Sequence, residues 1–326
     1  MRLQTSGDSF GCASRADSDP VTAGRHSRQL LWGLFLFFYV PIAFYYGWTL
    51  LSGISVDFPT YYHAARLAFV EGRTPYGFTT FDAISAEMGR RVHPYLYPPP
   101  SLLAFWPLAK LSLATGHAAF LAVSHLCYLG SIWLMLTRLT PLPANRGRRD
   151  LTLALCLVYL LCFDPALATL GIGQVNLIVL FFICLALAAL KRGSPAWCIA
   201  LPLSVAILLK TYPVLLLPLL AFRRQFRAIA LTCVFFGIFT VIAVLALPWE
   251  IWTSWFRDIL PAGGYANNQI AAAGPWNQSI NGFVTRLLLK NDFCPTPLPY
   301  PFLAKPVATV LALVVVGVTL LFSFRL

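Results

Sequence analysis

Charged residues are scarce in this 326-residue sequence, where they make up 11% of the chain against roughly 25% in soluble domains. Hydrophobic residues make up 58%. A chain with so few charges cannot coat a soluble globule with polar surface, which excludes an ordinary soluble enzyme. The apolar content excludes a disordered protein. The class that remains is a polytopic membrane protein, whose helices each need about 20 mostly apolar residues.

The sequence also lacks the short motifs that bind cofactors. It contains no CxxC pair, Walker loop, dinucleotide fingerprint or HExxH motif. No Asp-x-Asp or adjacent acid pair lies near Asp57, and the spacing of His63 and His93 is not that of metal ligands. We therefore expect neither a metal nor another cofactor. With no soluble domain to cradle a nucleotide, an enzyme of this kind needs a substrate that the membrane itself delivers.

The net charge of +12 can suggest a nucleic acid partner, but its distribution favours membrane orientation. Lysine and arginine are enriched in cytoplasmic segments of membrane proteins. The predicted inner segments hold 14 Lys and Arg against four acids, and the predicted outer segments hold nine against seven. The excess therefore marks the cytoplasmic face and requires no nucleic acid.

Apolar runs of spanning length predict an all-α, multi-pass bundle with about eight membrane segments. Residues 1–29 predict a cytoplasmic tail, because bulky residues follow the first apolar run where a signal peptide would have a small cleavage site. Residues 30–326 are the transmembrane domain, with long extracytoplasmic loops at about 52–115 and 248–303 and an interfacial helix at 101–113. The apolar runs lie at 30–51, 116–136, 151–170, 176–190, 196–222, 228–247 and 307–324.

The run at 196–222 is interrupted by Lys210 and Pro213. Its length permits one long helix, but basic clusters flank both ends, so a single span would place one cluster outside. The positive-inside rule favours a broken hairpin with Lys210 near its outer apex, and proline weakens the helix there. A lysine within a membrane costs on the order of 2.5–3.5 kcal/mol on insertion scales. It either pairs with an anion, such as a lipid phosphate, or extends to the interface.

Asp57 lies a few residues beyond the first apolar run, beside Tyr61 and Tyr62. A partly shielded carboxylate at the membrane edge is suited to general-base chemistry. Asp57 also precedes Pro59, so it can cap a helix that begins there. The sequence leaves both roles open. Asp164 is the only acid inside a predicted span, and no role is assigned to it.

Two further stretches carry polar groups suited to sugars. Gln174 and Asn176 follow a glycine-rich turn between two spans, where they can hydrogen-bond a sugar or simply belong to a tight turn. Asn277 and Gln278 follow Trp276 in the second outer loop; this stretch matches a glycosylation sequon and also suits carbohydrate contact.

Tyr97 precedes three prolines at the start of the interfacial helix. Aromatic side chains are enriched where a membrane meets water, so an anchoring role is open for Tyr97 as well as a role at a binding site.

Several short motifs follow one another in a fixed order along the chain. They are Asp57-Phe58 with Tyr61-Tyr62-x-Ala64-Ala65 and Gly72-x-x-Pro75-Tyr76, then Tyr97-Pro98-Pro99, Gly173-Gln174-x-Asn176, Lys210-x-x-Pro213 with Arg223-Arg224, and Asn277-Gln278-Ser279. In this order and spacing, over roughly residues 30–290, the chain resembles glycosyltransferase family 87. This is the integral-membrane family of polyprenyl-phosphate-mannose-dependent mannosyltransferases.

The resemblance implies a GT-C fold and an inverting transfer of a hexose, with mannose expected, from a polyprenyl-phosphate sugar to an extracytoplasmic glycan or glycolipid. Asp57 would be the catalytic base. From its position and charge, we expect Lys210 to stabilise the leaving phosphate. Tyr61, Tyr62 and Tyr97 are expected to contact substrate. The implied location is a bacterial plasma membrane, with the active site on the extracytoplasmic side.

Two alternatives remain beside a transferase. In a transporter or flippase of a lipid-linked glycan, Asp57 and Lys210 would only bind; the other alternative is a non-catalytic assembly subunit. Transporters often contain inverted repeats, and the absence of an internal repeat favours the enzyme. Members of the resembled family usually continue for several more helices, so the chain is expected to be C-terminally incomplete.

Overall fold

The computed structural model describes residues 20–53, 55–261, 273–275, 277 and 279–324, and within these ranges it contains helices but no strand. The all-helical fold class is therefore confirmed. The α-helices are α1 Pro20–Ser52, α2 Phe58–Phe69, α3 Phe78–Glu87, α4 Leu102–Ala109, α5 Leu113–Leu134, α6 Arg146–Leu161, α7 Asp164–Ile172, α8 Asn176–Lys191, α9 Ala196–Leu209, α10 Leu216–Phe222, α11 Phe226–Ala246, α12 Trp249–Ser254, α13 Ile280–Leu288 and α14 Pro301–Phe324.

Short irregular helices supplement these elements. Single 3-10 turns lie at Pro99–Ser101 and Tyr212–Leu215, and single π-helical turns lie at Met135–Leu139 and Trp255–Ile259. Such π-helical turns are often found at functional sites, and the second of them lines the cavity described below.

Four helical stretches are long and apolar enough to cross a membrane by length and composition: Leu113–Leu139, Arg146–Ile172, Phe226–Ala246 and Pro301–Thr319. Four shorter apolar helices lie at Gln29–Tyr45, Asn176–Lys191, Ala196–Leu209 and Tyr212–Phe222. Helices α11 and α14 expose many large aliphatic side chains, which a lipid environment would cover. These findings fit a multi-pass membrane protein, and the count of eight segments stays a prediction.

The chain divides into two compact units. The smaller comprises the chain up to Ala43 together with Pro141–Cys162, and so contains most of α1 and all of α6. The larger comprises Phe44–Thr140 and Phe163–Leu326. Every residue of the candidate site belongs to the larger unit.

Helix α1 begins at Pro20, ten residues before the predicted start of the first apolar run at residue 30. Proline is tolerated in the first turn of a helix, where its missing N–H has no intrahelical partner and its fixed φ is already helical. The apolar part of the helix, Gln29–Tyr45, begins next to the predicted residue 30, and the helix extends from it into the preceding polar sequence. The residues of the predicted tail before Pro20 lie outside the described residues.

The segment at 52–115, expected to be a mixed polar loop before an interfacial helix, is largely helical. It contains α2, α3 and α4, the last of which confirms the short helix predicted at 101–113. Helix α2 buries nine of its twelve residues, and α4 packs against it. Ala64, Ala65 and Ala68 of α2 lie in the main core with Phe105 of α4. The small alanine side chains let the two helices approach closely. The segment is therefore a packed layer that holds the site rigidly.

The predicted helix at 151–170 is interrupted. Helix α6 ends at Leu161, Phe163 has an extended backbone with ψ 99°, and α7 begins at Asp164. Pro165 explains the break, because its ring would clash with the carbonyl of Leu161 and it donates no hydrogen bond. Asp164 thus lies in an exposed first turn, where a negative charge favours the helix dipole.

The run at 196–222 is broken as predicted. Helix α9 ends at Leu209, Lys210 is extended with φ −148° and ψ 143°, and a 3-10 turn leads into α10. Leu220 of α10 packs in the same cluster as Ile199 and Leu203 of α9, so the chain folds back on itself. The depth of this apex in a membrane stays a prediction.

Candidate active site

A cavity of about 490 Å³ lies in the larger unit, where α2, the 93–98 segment, the turn before α8, the break after α9 and the π-helical turn meet. Its polar lining comes from Asp57, Thr60, Gln174, Lys210 and Thr211. The rest of the lining is mainly aromatic or aliphatic and comprises Tyr61, His93, Pro94, Leu96, Tyr97, Pro98, Tyr212, Trp255, Ile259 and Leu260. A few polar groups converging within apolar walls are typical of a ligand site.

Asp57 occupies the N-cap position of α2, yet its side chain makes no capping hydrogen bond. Its carboxylate Oδ2 instead accepts a hydrogen bond from Gln174 Nε2 at 2.6 Å. The backbone N–H of Asp57 donates to the carbonyl of Ile172 at 2.8 Å, which ties the start of α2 to the end of α7. The side chain is therefore directed into the cavity and away from the helix terminus.

Gly173 makes the turn that presents Gln174. It has φ +74°, a left-handed conformation that glycine adopts without steric cost. A Cβ atom at this position would lie 2.6 Å from Ser55 Cβ and 3.3 Å from Phe58 Cβ. The tight turn expected from the sequence is therefore present, and its glycine also permits close contact with the start of α2.

Ser55 anchors this contact from the other side. Its backbone N–H donates to His117 Nε2 at 3.1 Å, and the Ser55 hydroxyl lies 2.9 Å from the same nitrogen. Arg90 Nη2 donates to the Ser55 carbonyl at 2.8 Å. Since Ser55 lies two residues before Asp57, these bonds fix the backbone that carries the carboxylate.

Asn176 extends the polar chain that begins at Asp57. It donates from Nδ2 to Gln174 Oε1 at 2.7 Å. Of the two residues proposed for sugar contact, Gln174 lines the cavity and Asn176 lies behind it. The three side chains form one continuous hydrogen-bonded row.

Tyr61 and Tyr97 form the aromatic side of the cavity. Their hydroxyl oxygens lie 3.4 Å apart, and the Tyr61 ring stacks on Phe105 with centroids 4.7 Å apart. Burial raises the pKa of Tyr61 well above its usual value, with further contributions from Tyr97 and Asp57. Tyr61 is therefore neutral at physiological pH and acts as a hydrogen-bonding group. Tyr76 donates to the Tyr97 carbonyl at 2.7 Å and fixes the backbone there.

Lys210 reaches the same cavity from the break after α9. Its Nζ lies 5.8 Å from the centroid of the Tyr97 ring, within the range of a cation–π interaction. Asp57 is close enough to influence the Lys210 charge, but the pair forms no salt bridge. Within the part of the chain that the structure describes, the ammonium makes no hydrogen bond or ion pair, so it is available to an anion.

Besides Asn176, three of the expected substrate contacts lie elsewhere or cannot be placed. The Tyr62 hydroxyl donates to the Leu111 carbonyl at 2.8 Å, on the α4–α5 side of α2. Asn277 stands before α13, where its carbonyl accepts from Arg286 Nη1 at 2.9 Å. Gln278 and the neighbouring Trp276 lie outside the described residues. Tyr62 and Asn277 do not line this cavity, and their substrate contacts stay predictions.

The cavity also contains residues that sequence reasoning did not select. Trp255 and Ile259 come from the π-helical turn, and Tyr212 comes from the 3-10 turn after Lys210. The sequence offered one signal for the first group, the cluster of tryptophans that follows Pro248. The π-helical register that turns Trp255 and Ile259 toward the cavity has no evident sequence pattern.

A metal site is not assembled by the described residues, which contain no group of three His, Cys, Asp or Glu side chains placed to hold an ion. His93 lines the cavity, and its carbonyl accepts from Thr60 Oγ1 at 2.8 Å. His63 is partly buried on α2, and burial lowers its pKa. The polar groups at the cavity are the Asp57 carboxyl, the Lys210 amine, the His93 imidazole, and hydroxyl and amide groups.

Comparison with known proteins gives two related mycobacterial proteins, both described as polyprenol-phosphate-mannose-dependent alpha-(1-2)-phosphatidylinositol mannoside mannosyltransferases. The protein from Mycobacterium tuberculosis is 26% identical over 287 residues, covering 84% of this chain and 64% of that protein. The one from Mycolicibacterium smegmatis is 27% identical over 272 residues, covering 79% and 58%. The chain therefore spans less than two-thirds of the length of these relatives.

No solved structure matches the chain significantly. The sequence model of glycosyltransferase family 87 matches residues 95–326, which is well over half of the chain and includes Tyr97, Gln174 and Lys210. This match confirms the resemblance drawn from the motifs. The chain belongs to glycosyltransferase family 87.

Proposed function

We propose that this protein transfers a mannosyl residue from a polyprenyl-phosphate-mannose donor to a glycolipid acceptor, with inversion at the anomeric carbon. Family membership and the two mannosyltransferase relatives support the reaction class and the donor. The acceptor named for both relatives is a phosphatidylinositol mannoside, so a mannosylated glycolipid is the acceptor class we propose here.

One observation carries the proposal: Asp57 and Lys210, which are 153 positions apart in sequence, line the same cavity. A transfer from a lipid phosphate needs a base for the acceptor hydroxyl and a positive charge near the leaving phosphate. The Asp57 carboxylate and the Lys210 ammonium supply these two groups. Much of the cavity wall is aromatic or aliphatic, and such less polar surroundings strengthen both interactions relative to bulk water.

Asp57 is proposed as the catalytic base. The acceptor oxygen forms a bond to C1 of the sugar while the bond between C1 and the donor phosphate oxygen breaks. The hydroxyl proton passes to the Asp57 carboxylate, and the electron pair of the broken bond leaves with the polyprenyl phosphate. Attack from the face opposite the phosphate inverts the anomeric centre.

Lys210 is proposed to bind the donor phosphate. The extended backbone at Lys210 and the following turn hold the ammonium over the Tyr97 ring at the cavity wall. Because negative charge grows on the phosphate oxygen as the C1–O bond breaks, a fixed ammonium stabilises the transition state more than the bound donor.

The reaction is proposed to take place on the extracytoplasmic side of a bacterial plasma membrane. The asymmetric distribution of lysine and arginine supports that orientation. In that orientation, the cavity faces the extracytoplasmic side, to which the α2–α4 segment is assigned. A lipid-linked donor reaches the cavity by diffusion within the membrane.

The test is a transfer assay with purified protein, radiolabelled polyprenyl-phosphate-mannose and a phosphatidylinositol mannoside in detergent. We expect labelled product from the wild type and a rate lower by about 100- to 10,000-fold from Asp57→Asn, because the neutral amide cannot accept the proton. Asp82→Asn removes an exposed carboxylate from α3 and is expected to retain full activity.

Full transfer by Asp57→Asn would contradict the base assignment. If wild-type protein binds donor but yields no product with any mannosylated glycolipid, the proposed reaction is wrong. Donor movement across proteoliposomes without transfer would then support the transporter alternative.

A further inference from the structure

We infer that Asn176 is a positioning residue, which acts through Gln174 to hold the Asp57 carboxylate in one orientation and in its ionised form. This inference rests on the proposed role of Asp57 as base and adds two residues to it. Asn176 does not line the cavity, so its effect must pass through the hydrogen-bonded row.

The direction of the row follows from donor and acceptor chemistry. An ionised carboxylate only accepts hydrogen bonds, so the group that meets Asp57 Oδ2 at 2.6 Å must be the Gln174 NH₂. The Gln174 carbonyl oxygen then faces Asn176, and an oxygen there requires a donor. The Asn176 NH₂ supplies it at 2.7 Å. Reversing either amide would place oxygen against oxygen.

Both ends of the row are held by rigid backbone. Asn176 is the first residue of α8, and Gln174 follows the left-handed Gly173 that ends α7. Asp57 is joined to the same turn by the hydrogen bond from its N–H to Ile172. The backbone therefore holds the three side chains within hydrogen-bonding reach of one another, and the two hydrogen bonds select their orientation.

The hydrogen-bonded row gives the two carboxylate oxygens of Asp57 different roles. Oδ2 is occupied by Gln174, which leaves Oδ1 to accept the proton of the acceptor hydroxyl. A hydrogen bond donated to the anion stabilises the ionised form, which is the form a base needs before reaction. Loss of that donor should therefore alter the pH dependence of transfer as well as its rate.

Asn176→Asp is the direct test, since it keeps the shape of the side chain and removes its NH₂. Gln174 must then turn its NH₂ toward the introduced carboxylate, which leaves its carbonyl oxygen against Asp57. We expect kcat to fall about 10- to 100-fold with KM changed less than about threefold. We also expect the acidic limb of the kcat–pH profile to move to higher pH, because the anion loses a hydrogen-bond donor.

Asn145→Asp is the matched control. Asn145 caps α6 by accepting from Arg148 N–H at 3.1 Å, a role that aspartate performs equally well, so both kcat and the pH profile should be unchanged. Gln174→Met removes the donor without adding charge. It should move the acidic limb in the same direction as Asn176→Asp.

The outcomes separate the relay from the proposed function. If both variants lower kcat but leave the acidic limb in place, their role is only structural and the relay is wrong. Unchanged kcat in both variants overturns it too. If instead Asp57→Asn transfers mannose at the wild-type rate, the base assignment itself fails, whatever Asn176 does.

Discussion

Two interruptions of apolar helical runs, alike in sequence, have different surroundings in the structure. One places Lys210 before Pro213, and the other places Asp164 before Pro165. Both end a helix, and both put a charged side chain close to a proline. Lys210 lines a cavity with Asp57 and an aromatic ring, whereas Asp164 is exposed at the first turn of α7.

The difference shows that a charge within an apolar run does not by itself place a side chain in a cavity. Lys210 differs because side chains from α2, the turn before α8 and the π-helical turn line the same cavity, next to the break after α9. Asp164 is accounted for locally, since an acid in the first turn favours the helix dipole. The comparison can be tested by changing matching features of the two breaks.

Removing the charge at each break should have the largest effect. We expect Lys210→Met to lower the transfer rate about 100-fold, because the leaving phosphate loses its ammonium, and Lys210→Arg to recover part of the loss. Asp164→Asn should change the rate less than about twofold, since a charge at an exposed helix terminus contributes little. Transfer rates under saturating acceptor measure both.

Lys110→Met controls for loss of a lysine as such. Lys110 also lies over an aromatic ring, with Nζ 4.5 Å from the Trp106 centroid, but it is exposed. Its variant should remain active. Equal losses of transfer rate from Lys210→Met and Asp164→Asn would contradict the proposed difference between the two interruptions.

The sequence predicted the break at Lys210 better than the break at Asp164 for a physical reason. Basic clusters at both ends of residues 196–222 made a single span inconsistent with the positive-inside rule. Residues 151–170 present no such conflict, and their apolar length favours a single span despite Pro165. A search for apolar runs of spanning length does not predict α2 and α3, because neither helix contains such a run.

Within the site, single residues were predictable but their partners were not. Asp57, Gln174 and Lys210 were each selected from local sequence. The hydrogen bond between Asp57 and Gln174 joins residues 117 positions apart, and one sequence carries no information on such pairing. The structure answers one part of the question at Asp57: the carboxylate makes no capping hydrogen bond and accepts one from Gln174. The role of Asp57 as base stays a proposal.

The next largest effect on transfer should come from replacing one of two left-handed glycines, each of which follows the end of a helix. Gly173→Ala should lower transfer about tenfold or more and destabilise the protein by about 2–3 kcal/mol, because backbone strain adds to a Cβ contact of 2.6 Å with Ser55. Gly193 has φ +64° and nothing within 4 Å of its added Cβ.

Gly193→Ala is the matched control for Gly173→Ala. It should cost only the strain of about 1–2 kcal/mol and leave transfer nearly unchanged. Thermal unfolding midpoints in detergent and transfer rates separate the two contributions. If both variants lose activity in proportion to stability, the site does not depend on the Gly173 turn.

A smaller effect is expected from the ring beneath Lys210. Tyr97→Leu removes the cation–π contact and should lower transfer about 3- to 30-fold, in line with about 0.5–2 kcal/mol for such an interaction. Tyr97→Phe keeps the ring and removes the hydroxyl, whose oxygen lies 3.4 Å from that of Tyr61, so it should lower transfer less than about threefold. A greater loss from Phe than from Leu would show that the hydroxyl matters more than the ring.

The smallest effect should come from the proline at the exposed break. Pro165→Ala lets α6 and α7 adopt more continuous helical backbone, but Asp164 and Pro165 are both exposed and line no part of the cavity, so transfer should change less than about twofold. Pro213 is buried within the 3-10 turn that follows Lys210, and Pro213→Ala should lower transfer about tenfold by letting the ammonium move. Since the two variants make the same chemical change, equal rates would mean that the Lys210 backbone is held by packing alone. A loss confined to Pro213→Ala would show that proline fixes the functional break.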